Sequence, residues 1–144
     1  MTDAPLLSTL IRRLHLLLRR RIHADLCAAG HDRLAPAHIY VFQTPGADGT
    51  RPTELARRTN MTKQAMNHLL AGLERDGYLA RVRAEADGRG TVIRLTERGR
   101  EVEQIVRESS LRLEQEWAAE LSGDTIEHLR SLLVDIDASV GTEP

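Results

Sequence analysis

From residue 52 to residue 96 the chain reads as helix, tight turn, helix and basic hairpin, and few small folds accept that order of elements. The first helix starts near Pro52 and turns Leu55 and Ala56 inward. Asn60-Met61-Thr62 makes the turn. Thr62 suits an N-cap, because its hydroxyl can accept from a backbone N–H that the first helical turn leaves unpaired. The helix it opens spans residues 63–75, with Met66, Leu69, Leu70 and Leu73 on one buried face. Asp76-Gly77 ends it. Two short strands follow at 78–82 and 91–95, and Asp87-Gly88 with Gly90 marks the hairpin tip between them.

With the inner face fixed, Gln64, Asn67, His68 and Ala71 point outward, and Thr62 and Lys63 stand at the exposed N-terminal end. Amides of Gln and Asn pair bidentately with adenine, and Lys reaches guanine or phosphate. A small Ala71 lets a helix lie close to a groove, and a helix N-terminus favours a nearby phosphate. An ordinary amphipathic surface helix has the same periodicity. The preceding E-L-A-R-R-T-N-M-T turn is what favours DNA. Arg81, Arg83, Arg89 and Arg94 lie in or beside the hairpin, and Arg89, set between two glycines at its tip, can enter a narrow minor groove. Asp87 repels phosphate, so its expected role is to pair with an arginine and hold the tip in shape. Charge agrees: residues 51–100 carry 11 Lys and Arg against 6 Asp and Glu, whereas residues 101–144 carry 3 against 11.

The 144 residues suffice for one domain with its own core. Aromatic residues are 3% of the chain, so that core must be aliphatic, as in a mostly helical protein. A long helix is expected over 5–29, ended by Gly30, with an apolar surface too broad for one partner helix, which favours self-association. A short helix follows over 35–43, and 44–50 is a loop by composition. Thr96 can cap a helix running to about 120, and a last helix uses Ile126, Leu129, Leu132, Leu133 and Ile136. One cysteine permits no internal disulfide, and Arg12, Arg13 and His15 interrupt the apolar N-terminal run, so neither a signal peptide nor a membrane span is expected and the location read is cytoplasmic. No nucleophile–base set, phosphate loop or metal motif is present, which argues against an enzyme, a cofactor and a metal site.

The segments L-A-R-R-T-N-M-T-K-Q-A-M-N-H-L-L-A-G-L-E-R-D-G-Y-L and D-G-R-G-T-V-I-R-L-T-E-R-G resemble the MarR family of bacterial winged-helix regulators, specifically over about residues 34–100. The resemblance implies a single domain over 1–144, mostly α with a small β-hairpin wing. Helices of 1–30 and 97–144 would form a homodimer, and a winged helix-turn-helix lobe would occupy 34–96. It implies binding to a pseudo-palindromic operator in double-stranded DNA, with Gln64, Asn67 and His68 at base-contacting positions, Arg89 at the wing tip and Asp87 as the wing aspartate. The chain departs from the family where Ala84 and Ala86 replace frequent charged residues and His68 replaces a frequent arginine. Family members respond to small aromatic acids or phenols, to metals or to oxidants. An effector pocket between dimer helices and lobe could use Arg13, His15, His38 and Tyr40, and Cys27 stands in the general region of a redox cysteine. The function so implied is a sequence-specific, homodimeric repressor relieved by a small molecule. A winged-helix protein-interaction module without DNA binding, and a thiol-based redox regulator using Cys27, stay open.

Overall fold

The computed structural model describes residues 4–85 and 88–141, which form six helices and one two-stranded antiparallel sheet. The order is α1 (Leu7–Ala28), α2 (Pro36–Gln43), α3 (Pro52–Arg58), α4 (Lys63–Arg75), β1 (Leu79–Arg83), β2 (Thr91–Leu95), α5 (Glu97–Leu121) and α6 (Gly123–Val140). The mostly helical architecture with a hairpin wing is the one expected. The second helix of the helix-turn-helix falls on the anticipated 63–75, and the first strand starts one residue late. The strands pair from Leu79 opposite Leu95 to Arg83 opposite Thr91.

One device ends α1, α3 and α4. A residue with positive φ follows each C-cap: Gly30 (89°), Asn60 (53°) and Gly77 (79°). The next residue then donates its N–H back across the last turn, from His31 to Leu26 O, Met61 to Ala56 O, and Tyr78 to Leu73 O, at 2.8 to 2.9 Å. The orphan carbonyls of each helix end are satisfied within two residues, so each connection is short and its exit direction fixed.

The chain divides into two compact units, one ending at Glu108 and one starting at Ser109. The core of the first unit gathers Ile22 and Leu26 of α1, Ile39 and Phe42 of α2, Leu55 of α3, Met66, Leu70 and Leu73 of α4, Ile93 of β2, and Val102 and Val106 of α5. Tyr78 is fully buried there, donor or acceptor to His31 Nδ1 at 3.1 Å, with the Arg98 guanidinium 4.5 Å from its ring centre. In the second unit Leu113 and Ile126 are buried, and Arg130 ties α6 to α5 through Glu114 at 2.7 Å.

The 44–50 loop is more ordered than its composition implies. Gly49 N–H donates to Ile93 O at 2.8 Å and Ile93 N–H to Thr50 O at 3.0 Å, tying residues 49–50 to β2 by two backbone hydrogen bonds. Asp48 Oδ1 accepts from Leu95 N–H at 2.8 Å, and its other oxygen faces Arg94 and Arg100 at 3.9 Å each.

Candidate nucleic-acid interface

The Thr62 hydroxyl accepts from Ala65 N–H at 3.1 Å, so the expected cap is formed and α4 starts at Lys63. Met66, Leu70 and Leu73 are buried; Leu69, expected with them, is only half-buried at the edge of the face. Thr62, Lys63, Gln64, Asn67, His68 and Ala71 are all exposed. These six outward side chains within ten residues make one continuous strip, of the kind that major-groove reading requires.

Arg81 departs from expectation. It projects from β1 onto α4, where Nη1 donates to Asn67 Oδ1 at 3.3 Å and Nη2 to Asn67 O at 3.0 Å. Glu74 holds it from the other side, accepting from Arg81 N–H at 3.2 Å and lying 3.6 Å from Nε. An arginine grouped by sequence with the wing therefore joins the hairpin to α4. Arg57 and Arg58 are also engaged: both donate to Glu54, and Arg58 reaches Pro45 O as well. Hydrogen bonds from Arg57 and then Arg58 pull the Glu54 carboxyl down to about 2. Part of the positive charge of residues 51–100 is thus internally compensated.

At the hairpin, Arg83 and Arg89 are exposed. Ala84 is buried, with its N–H on Gly90 O at 3.2 Å, so a charged side chain there would have to be desolvated. Alanine at this position is a packing choice. Asp87, the expected brace, and Ala86 lie outside the described residues. Asp48 was missed by sequence reading, and only its place in a turn-rich stretch signals it. It braces the base of the hairpin from a loop 47 residues away from its backbone partner.

Of the four residues considered for an effector, two meet. His15 Nε2 lies 3.2 Å from the Tyr40 hydroxyl with the rings parallel at 7°. Arg19, outside the expected set, adds a hydrogen bond to the same hydroxyl at 3.3 Å and lies over the ring at 5.2 Å. His38 instead faces α4, where a Cβ on Gly72 would lie 3.6 Å from its Nε2. Arg13 lines an apolar groove with Leu10, Leu14 and Leu17. Cys27 is exposed, with Sγ 3.5 Å from His23 Nε2 one turn earlier on α1, a neighbour that sequence reading did not assign. Among the described residues no group of three or more His, Cys, Asp or Glu converges, and no helix is long and apolar enough to cross a membrane.

A sequence model described as MarR family matches residues 36–90. The HTH-type transcriptional repressor Rv2887 of Mycobacterium tuberculosis is 34% identical over 115 residues, covering 77% of this chain and 81% of that one. A crystal structure described as the MarR family protein Rv2887 in complex with salicylic acid superposes with a TM-score of 0.62 at 28% identity, over 94% of this chain and 99% of that one. The transcriptional repressor CouR, bound to a 23-mer DNA duplex, gives a TM-score of 0.71 at 25% identity over 92% of both chains. With a relative 34% identical over 81% of its length and the matching family model, the protein belongs to the MarR family of helix-turn-helix regulators.

Proposed function

We propose that this protein is a homodimeric, sequence-specific transcriptional repressor of the bacterial cytoplasm that releases its operator on binding a small aromatic acid. The observation that carries the DNA reading is the exposed strip Lys63–Gln64–Asn67–His68–Ala71 on a helix whose opposite face is buried, with Arg83 and Arg89 exposed on the hairpin. Gln64, Asn67 and His68 read base edges, Lys63 and the N-terminus of α4 meet a phosphate, and Arg89 enters the adjacent minor groove. Dimerisation is supported by apolar side chains that the single chain leaves exposed, Leu7 and Ile11 on α1 and Leu133 and Ile136 on α6.

The effector reading is supported by the His15–Tyr40–Arg19 cluster. A guanidinium and a phenol hydroxyl held side by side suit a planar carboxylate with a neighbouring hydroxyl. The salicylic acid complex of the similar Rv2887 supports an aromatic acid as the chemical class.

The test is a fluorescence-anisotropy titration of the full-length protein against duplexes tiling its own upstream region, at several salt concentrations. Tight binding to one duplex that weakens steeply with salt is expected, since phosphate contacts release counterions. Weak binding indifferent to salt defeats the DNA reading. Salicylate added to the complex should release the duplex, and Arg19→Ala should blunt that release while leaving affinity for DNA unchanged.

A further inference from the structure

An asparagine amide is a rigid plane with its acceptor oxygen and donor nitrogen on opposite sides of one carbon. To read adenine bidentately both must face the base edge, the oxygen accepting from N6–H and the nitrogen donating to N7. In this protein the oxygen of Asn67 is already turned to Arg81, 3.3 Å from Nη1. The Arg81 guanidinium is itself held, by Asn67 O at 3.0 Å and by a Glu74 oxygen 3.6 Å from Nε, with the Arg81 backbone N–H donating to the other Glu74 oxygen at 3.2 Å, and the side chain is 28% exposed. Turning Asn67 Oδ1 toward DNA would strand a partly buried guanidinium N–H, a loss comparable to the hydrogen bond gained. Among the described residues the Asn67 amide nitrogen has no protein partner, and the residue is exposed.

We propose that Arg81 sets the base preference of α4: by holding Asn67 Oδ1 it offers DNA only the Asn67 N–H donors, so this position loses the bidentate adenine contact and favours guanine, whose O6 and N7 are both acceptors, over adenine, whose N6–H beside N7 then meets no acceptor. The inference rests on α4 being the DNA-reading helix. Arg81 is a positioning residue that touches no base itself.

The experiment is binding selection from a random duplex library, read by sequencing, with the full-length protein and its Asn67→Ala and Arg81→Met variants. Asn67→Ala should flatten one symmetry-related pair of columns, which identifies the base beneath Asn67. In the wild type that column should favour G. In Arg81→Met the ratio of that base to adenine should fall about tenfold, a change of the size one bidentate contact commands. A merely structural role for Arg81 would weaken all columns alike and leave this ratio where it was. The proposal is overturned by adenine in the wild-type column, by an unchanged ratio in a folded Arg81→Met protein, or by an Asn67→Ala variant that flattens nothing. Should Arg81→Met fail to fold by circular dichroism, the wild-type column decides alone. If the wild type enriches no sequence at all, the DNA reading itself falls, and this proposal with it.

Discussion

Gly99 sits where the first turn of α5 crosses the chain entering β1. A Cβ built there would overlap Tyr78 O, and that oxygen is backbone, itself engaged by Thr96 N–H at 3.1 Å. Neither side can yield without separating helix from hairpin. Gly99→Ala should therefore destabilise the protein by about 1–3 kcal/mol, the usual range for overpacking, measured as a lowered urea midpoint. His38 gives a second prediction at this scale. Burial lowers its pKa below the usual 6.5, outweighing nearby Asp76, and Ala35 N–H donates to its Nδ1 at 2.9 Å, which requires that nitrogen unprotonated. The neutral ring is the form the fold prefers. Its contribution is present above about pH 6.5 and is lost as pH falls through the lowered value. Urea unfolding at pH 8 and pH 5 should show a smaller loss of stability for His38→Gln than for the wild type. Neither residue announces its role in the sequence, because both roles depend on a partner brought close by folding.

At the scale of elements, α4 was legible almost to the residue. Cap, apolar period and Asp76-Gly77 stop are all local signals, and local signals survive folding when nothing competes with them. The caps at Thr62 and Thr96 and the breaks at Gly30 and Gly77 were visible for the same reason. Thr62→Ala should cost about 0.5–2 kcal/mol of stability through the lost hydrogen bond to Ala65. It should also weaken duplex binding, because the N-terminal turn carrying Lys63 frays; amide hydrogen exchange at residues 63–66 is the measurement that separates the two. What sequence could not give were the braces. Arg81 meets Asn67 across 14 residues and Asp48 meets Leu95 across 47, and no periodicity encodes either pairing. Arg81 was grouped with the wing because charge on a hairpin reads as charge for the partner, whereas its direction is decided by Glu74 and Asn67.

On the scale of the whole molecule, the single chain leaves Leu132, Leu133, Val134 and Ile136 about half exposed on α6. So much exposed apolar surface on one helix supports the proposed dimer. Leu133→Lys together with Ile136→Lys should convert a dimer to a monomer in analytical ultracentrifugation and reduce operator affinity at least tenfold, since two half-sites then bind independently. A wild-type chain that sediments as a monomer at micromolar concentration would count against the dimer. The backbone pairing of Gly49 and Thr50 with Ile93 bears on how such a molecule tolerates being cut or lengthened. By composition the 44–50 loop is the natural place to graft a tag or open the chain. Its backbone is nevertheless committed to Ile93, Asp48 anchors Leu95, and Ala47 is fully buried. Extra residues there would unpick the hairpin from its root, so the segment that looks most expendable is one where an insertion breaks the fold.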